Sequence, residues 1–368
     1  MKPQAQPDAS TTPWLAVLLA SLAMIGPFSI DTYLPAFPAM ADALGATQVE
    51  VQQTLTAYLV PFAVMMLWHG ALSDALGRRR VILGGLAVYA LASLVCALAG
   101  PMAHISMMFA IGPAIAPILG GWIHAIFGWQ AIFVFLCLFG AALWLATLLW
   151  LPETLPLEQR QSMHPAHLWR GYASVFSNGE FMRLSASLTF NFNGMFLYVL
   201  SAPAFLIDHL GLTPQDFAWL FVPCVAGMMF GAYLSGRLAG RLSARRTIAL
   251  GYLIMCIAVV ANLALNLAIS PVLPWAILPL PVYTTGMALA VPSMQLLALD
   301  LFPEKRGLAS SCQGVVQTST SALTAAVLAP LLWSTPLLLA WGMAGFLGLG
   351  LIAFLIALWR YDAAASQT

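Results

Sequence analysis

The chain has 368 residues, of which 61% are hydrophobic and 7% charged, with a formal net charge of +1 and a mean hydropathy of +0.89. A soluble domain carries about 25% charged residues, so this composition excludes a large soluble enzyme, a disordered chain and a nucleic-acid binder that works through bulk positive charge. A membrane helix needs about 20 apolar residues, so the length is sufficient for twelve helices with short connections.

Eleven apolar runs are long enough to span a membrane. They cover residues 14–38, 51–73, 80–100, 104–125, 128–151, 184–207, 215–236, 247–268, 272–299, 307–332 and 336–359. The sequence therefore predicts an all-α polytopic membrane protein. The long polar connection 152–183 is the natural linker between an N-terminal bundle (1–151) and a C-terminal six-helix bundle (184–368). The first run is too long for a signal-peptide core, so we expect a retained span.

The distribution of charge predicts the orientation. Lys and Arg fall in the connections 73–80, 152–183, 237–246 and 302–306, whereas 39–50 and 208–216 hold only acids. Because basic loops stay on the cytoplasmic side, we expect both termini in the cytoplasm. One contradiction follows: the 73–80 loop and the linker are both basic, which requires an even number of spans between them, but three are predicted.

An internal repeat relates the two halves. Residues 70–80 (GALSDALGRRR) align with residues 236–246 (GRLAGRLSARR) at an offset of 166. From this segment to the end of its half is about 71 residues in the first copy and about 114 in the second. The shortfall of about 43 residues is roughly one span and a loop. It lies near residues 100–103, so we expect the N-terminal bundle to lack its fourth helix, which leaves eleven spans of twelve.

The 70–80 segment carries the most specific motif. Its residues Gly70, Asp74, Gly77, Arg78 and Arg79 are similar to the G-x-L-x-D-r-x-G-R-[RK] loop between helices 2 and 3 of the major facilitator superfamily. This resemblance implies two pseudo-symmetric helical bundles, with charge-assisted bonds from the arginines to Asp74 that gate the cytoplasmic mouth. Positive-inside anchoring alone is the alternative explanation of the loop.

Further segments resemble the Bcr/CflA branch of that superfamily, the drug:proton antiporters named for bicyclomycin and chloramphenicol resistance. DTYLPA (31–36) closes the first span and QTLTAYL (53–59) opens the second. The span 104–125 is similar to the antiporter motif of helix 5, whose motif positions are Gly112, Pro113, Pro117, Gly120 and Gly121. Small residues permit close helix approach and prolines bend a helix, so a kinked packing helix is the alternative. The branch's R-F-x-Q-x-x-G-like segment of helix 4 is absent here.

Asp31 is the candidate proton-coupling residue. Counting from Leu15 at about 1.5 Å per residue places it about 24 Å along the first span. A carboxylate inside a span is functional by default, and its protonation on one side and release on the other is what antiport requires. The resemblance supports the same role. The alternative is a polar helix end at the membrane surface.

Polar and aromatic side chains within spans are the candidate substrate contacts. They are Tyr33, Tyr58, Asn191, Phe196, Tyr198, Gln295, Gln313 and Gln317. Walls of aromatic rings and amides suit flat, lipophilic, variable ligands. Aromatic belts and bonds between helices are the alternative for each of them. Asp300 is expected to pair with the basic 302–306 loop.

The sequence contains no G-x-x-x-x-G-K-[ST], C-x-x-C or H-E-x-x-H segment, so we expect no direct drive by ATP, no cofactor, no metal and no enzyme activity. The leading hypothesis is proton-coupled efflux, by antiport and alternating access, of small amphipathic drugs across a bacterial inner membrane. We expect a monomer in the lipid bilayer that binds no nucleic acid. The alternatives are an internally deleted, transport-incompetent member of the family and a metabolite transporter of the same superfamily.

Overall fold

A computed structural model describes residues 32–97, 126–152 and 165–365, together with Leu18, Ser21, Leu22, Ile30 and Ile123. Within these ranges the secondary structure is helical, apart from one isolated bridge between Ala239 and Leu242. The predicted all-α class is therefore confirmed.

Twelve α-helices are present in the described part of the chain. The N-terminal half contains a 3-10 turn (Leu34–Ala36), α1 (Phe37–Leu44), α2 (Gln48–Leu76), α3 (Arg78–Ala97) and α4 (Trp129–Trp150), and α5 (Pro165–Phe176) lies in the predicted linker. The C-terminal half contains α6 (Gly179–Leu200), α7 (Ala218–Leu238), α8 (Ala244–Ala268), α9 (Pro279–Asp300), α10 (Arg306–Leu323), α11 (Ala329–Leu332) and α12 (Pro336–Ala365). A π-helical turn, Thr324–Leu328, joins α10 to α11, and another, Ala204–His209, follows α6.

Six helical segments of the described chain are long and apolar enough to cross a membrane: α4, α7 with its preceding turn, α8, α9, α10 through α11, and α12. Two predicted boundaries differ from the structure. The first predicted span ends at residue 38, but α1 continues to Leu44. The apolar run 272–299 predicts a span that begins near residue 272, but residues 269–278 form bends and turns and α9 begins only at Pro279. Pro271 and Pro274 explain the second difference, because proline lacks the amide donor that a helix interior needs and restricts the residue before it.

The turn that precedes the second predicted span of each half repeats at the same offset of 166 residues. Gly45 and Gly211 both have positive φ, 60° and 66°, a conformation in which glycine ends a helix without a Cβ clash. Thr47 then caps α2, since its amide donates to the Glu50 carboxylate (2.7 Å). Thr213 and Asp216 make the same bond, of 3.0 Å, before α7. The repeat therefore extends beyond the 70–80 segment in which it was recognised.

Helices α3 and α4 are antiparallel. The Arg79 guanidinium at the start of α3 donates to the Leu148 carbonyl near the end of α4 (2.7 Å), and Gly140 lies against Tyr89 near the middle of both. The end of α3 and the start of α4 therefore lie on the same side of the bundle. Of the described helices, α3 leads away from the basic 73–80 loop and α4 leads back toward the basic linker, as the charge of both connections requires.

Helix α9 lies between α7 and α8 and also contacts α6. Glycines permit the close approach: a Cβ added to Gly251 of α8 would stand 2.6 Å from the Gly286 carbonyl oxygen of α9. A Cβ on Gly227 or Gly231 of α7 would likewise overlap backbone carbonyl groups of α9. These contacts make α9 the packing centre of the C-terminal half.

The repeat offset matches α2 with α7 and α3 with α8, so Gly85 is the counterpart of Gly251. No described atom lies within 4 Å of a Cβ built on Gly84 or Gly85. Val88 and Leu91, on the face of α3 that includes Gly84, are 67% and 64% exposed. The described part of the N-terminal half thus contains no counterpart of α9 on this face.

Candidate functional site: the seam between the halves

The two halves meet where α2 packs against α10. Met66 of α2 fixes the register, because its Sδ accepts a bond from the Thr318 hydroxyl of α10 (3.3 Å) and its methyl group lies against Gly314. We call this contact the seam. Helical spacing puts five α2 residues on the side that faces α10: Gln52, Thr56, Leu59, Ala63 and Met66.

The seam contains polar atoms without hydrogen-bond partners. In the described structure these are the Gln52 carboxamide and the Thr56 hydroxyl of α2, and the Ser321 hydroxyl of α10, which shares a face with Gly314 and Thr318. Buried polar groups are nearly always paired. The seam therefore offers neutral hydrogen-bonding groups to whatever enters between the halves.

A small cavity lies at one end of the seam, with room for about one water molecule. It is lined from both halves by Phe37, Pro38, Gln48, Gln52, Leu200, Pro203, Ala204 and Trp333. The acidic connections 39–50 and 208–216 lie at this end, which we call the acidic face; the opposite end, with Arg79 and Arg306, is the basic face. The lining contains no charged side chain, so the cavity is suited to neutral groups.

Two predicted substrate contacts are bonded within the C-terminal half. The Asn191 amide nitrogen donates to the Tyr252 hydroxyl (2.9 Å), which also bonds Ser187 (2.5 Å). The Tyr283 hydroxyl donates to the backbone carbonyl of Asn191 (2.9 Å). These bonds join α6, α8 and α9. Similarly, the Asn262 amide of α8 donates to the Tyr198 hydroxyl (2.8 Å).

We expect Tyr252→Phe to lower the melting temperature of the purified protein. The change removes the acceptor of the Asn191 amide while it keeps the ring, and such bonds in membranes contribute about 0.6 kcal/mol on average, up to about 1.7. Tyr233→Phe is the control, since Tyr233 is 55% exposed. Equal melting temperatures for the two variants would show that the network does not stabilise the bundle.

Three other predicted contacts are aromatic. Tyr33 is fully buried, bonds the Thr54 hydroxyl of α2 and packs edge-on against Phe37. Tyr58 is half-buried and stacks on Phe62 with ring centroids 5.6 Å apart. Phe196 is 8% exposed. Tyr33 thus lies in packed core in this conformation, next to the lining of the cavity.

The predicted glutamines lie on α9 and α10. Gln295 and Gln317 are half-buried and Gln313 is buried, with a carbonyl oxygen that has no partner in the described structure. Gln313 and Gln317 share one face, about 100° around the axis from Gly314 and Thr318. They lie beside the seam, not on its central line.

The motif residues are only partly described. Gly70 and Asp74 lie in the last turns of α2, Gly77 separates α2 from α3 with φ 97°, and Arg78 begins α3; the side chains of Asp74 and Arg78 are outside the described structure. Asp31 and the helix-5 motif (Gly112, Pro113, Pro117, Gly120 and Gly121) lie outside the described residues. At the basic face, Arg306 pairs with Asp300 at 2.6 Å, as the sequence predicted.

Sequence reasoning missed Gln52, the most deeply buried polar group of the cavity at 1% exposure. It lies next to the QTLTAYL segment that was recognised. The signal was available: a glutamine at the start of a span, four residues after another glutamine and four before a threonine, forms a polar stripe on one helix face.

Fold and seam together define a helical polytopic membrane protein of two related halves. Residues 19–103 and 98–325 match the sequence profile of the Major Facilitator Superfamily. The chain belongs to this superfamily, and it is therefore a transporter protein and not an enzyme. The two matched pieces meet at 98–103, where the internal repeat places the shortfall.

Relatives of known sequence agree with this assignment. The chain is 29% identical to an uncharacterised MFS-type transporter, YdgK, of Bacillus subtilis, over 82% of this chain and 85% of the relative. It is 25% identical to a bicyclomycin resistance protein homolog of Haemophilus influenzae, over 88% and 91%. The structure of the human organic anion transporter MFSD10 has the same fold, with a TM-score of 0.58 at 19% identity over 94% of this chain and 96% of that one.

The alignment with the Bacillus subtilis protein is longer than the part of this chain that it covers. It has 342 positions, whereas 82% of 368 residues is about 300 residues. About 40 positions of the relative therefore face gaps in this chain, which is close to the shortfall of about 43 residues between the two halves.

Proposed function

We propose that the protein exports small amphipathic antibiotics across a bacterial inner membrane in exchange for protons. The observation that carries the proposal is the similarity to a bicyclomycin resistance protein homolog over 91% of that protein's length. The seam supports the class of cargo, because its described groups are amides, hydroxyls and apolar surface. Such a site favours neutral, partly lipophilic molecules.

Transport would proceed by rocking of the two halves about the seam. The conformation described here brings Gln52 of α2 and Leu200 of α6 together at the acidic face. The positive-inside rule puts the basic face in the cytoplasm, so the acidic face is the outward one. Asp31 takes up the proton, and the arginines with Asp74 hold the cytoplasmic mouth. The protein works as a monomer.

The proposal is tested in a drug-sensitive bacterium. Expression of the chain should raise tolerance to bicyclomycin and chloramphenicol and lower the accumulation of labelled chloramphenicol. A protonophore should abolish both effects, since the energy source is the ion gradient. Unchanged tolerance and accumulation, with the protein present in the membrane at normal abundance, would contradict the proposal. A panel of organic anions and sugars in the same assay tests the alternative of a metabolite transporter.

A second candidate is a member of the family that no longer transports. It is favoured by the exposed side chains of Val88 and Leu91 near Gly85, whose counterpart Gly251 is covered by α9, and by the gap of about 40 positions. Without a fourth helix the N-terminal half would lack the packing centre that α9 provides in the other half. This candidate predicts stable insertion into the membrane without proton-coupled flux of any drug in the panel.

A further inference from the structure

Gln52 occupies a costly position. It is 1% exposed, both its Nε2 and its Oε1 lack a hydrogen-bond partner in the described structure, and it lines a cavity formed by both halves. A buried amide without partners destabilises a protein, so its presence requires an explanation.

The repeat shows that the fold does not require a glutamine here. The counterpart of Gln52 in the C-terminal half, at the offset of 166, is Ala218, although both helices begin with the same capping box. A neutral apolar residue therefore suffices at this position of the turn. Only the N-terminal half, in which α2 faces the seam, has a carboxamide at this position of the repeat.

The surroundings of Gln52 define the chemistry that it can bind. Gln48, one turn earlier, is exposed, and Thr56, one turn later, carries a buried hydroxyl without a described partner. The three residues form a polar stripe that leads from solvent into the seam. Phe37 and Trp333 line the cavity beside it, and no charged side chain does. A carboxamide both donates and accepts, so it pairs with amides, hydroxyls and carbonyls.

We propose that Gln52 is a cargo-contacting residue at the acidic face. When the halves separate there, its carboxamide hydrogen-bonds to an uncharged amide, hydroxyl or carbonyl group of the cargo, while Phe37 and Trp333 cover the apolar part. In the closed conformation the cavity is too small for such a molecule, so closure expels it and leaves the carboxamide without a hydrogen-bond partner in the protein. The inference rests on the proposed function and names the polar group that selects the cargo.

The test compares Gln52→Leu with Gln53→Leu. Gln53 is the exposed neighbour on the same helix, so the pair separates the seam from the helix itself. The probe is chloramphenicol, a neutral molecule with an amide and two hydroxyls. Its apparent affinity is measured on the purified protein from the dose dependence of the melting temperature, and the melting temperature without ligand is recorded for each variant.

We expect Gln52→Leu to weaken chloramphenicol binding about three- to tenfold, the equivalent of one neutral hydrogen bond. Its melting temperature without ligand should equal or exceed that of the native protein, because the change removes a buried amide that makes no hydrogen bond to described protein atoms. Gln53→Leu should match the native protein in affinity. Native affinity in Gln52→Leu, an equal loss in Gln53→Leu, a lowered melting temperature without ligand, or no response of the native protein to chloramphenicol would each overturn the inference.

The same proteins separate this inference from the proposed function. A Gln52-dependent response to chloramphenicol without drug flux in vesicles would reject efflux and retain the binding site. Flux that is equal in native protein and Gln52→Leu, together with equal affinity, would retain efflux and reject the site.

Discussion

Gly251→Leu is expected to prevent stable folding of the C-terminal half, whereas Gly85→Leu, at the matching position of the repeat, is expected to be tolerated. A Cβ on Gly251 would stand 2.6 Å from the Gly286 carbonyl oxygen and 2.7 Å from the Ala290 Cβ. Overpacking of this kind costs about 1–3 kcal/mol, and more where backbone must move. At Gly85 no described atom lies within 4 Å, so the change gains helix propensity of about 0.8 kcal/mol.

The measurement is the melting temperature and the monodispersity of both variants in detergent. Gly236→Leu is a further control, because no described atom lies near a Cβ at that exposed position either. An equal fall in melting temperature in Gly85→Leu and Gly251→Leu would show that a helix covers α3 in the folded protein. The proposal that the N-terminal half lacks its fourth helix would then be wrong.

Asp31→Asn is expected to abolish proton-coupled export. Asparagine keeps the size and the hydrogen-bonding capacity of the side chain but cannot bind and release a proton at physiological pH. If Asp31 carries the proton, the variant should lose drug tolerance and drug-driven proton release together, while the protein still inserts into the membrane. Everted vesicles with a pH-sensitive dye report the proton release.

Asp42→Asn is the matched control for this prediction. Asp42 lies in α1 close after Asp31 in sequence and is exposed, so it should not couple a proton within the membrane. Native proton release in Asp31→Asn, or equal losses in both variants, would reject the role of Asp31.

The sequence predicted most of the long helices in the described part of the chain because their signal is local. Apolar length places most of the described helices to within a few residues, and the charge of each connection indicates the basic and acidic faces. The prediction from apolar length was wrong near prolines, since residues 272–278 are apolar but lie in turns before α9. The helix α5 in the linker was not predicted, because the polar composition of that connection concealed its apolar face, of which Val175 is fully buried.

The site was harder to predict because burial and pairing depend on contacts between distant segments. Tyr33 and Asn191 are polar residues within spans, which made them candidates, yet here they bond to Thr54 and Tyr252 of other helices. Gln52 is also a polar residue within a predicted span, but its carboxamide has no hydrogen-bond partner in the described structure. Only the packing of α2 against the other half distinguishes a structural amide from one that is available to a ligand.

The central claim is tested most directly by drug-driven proton movement in proteoliposomes that contain only the purified native chain. The proposal predicts that addition of chloramphenicol or bicyclomycin releases protons in a dose-dependent manner, and that Asp31→Asn abolishes the signal. Absence of proton release from native protein that is correctly inserted and monodisperse would contradict efflux and would favour the transport-incompetent alternative.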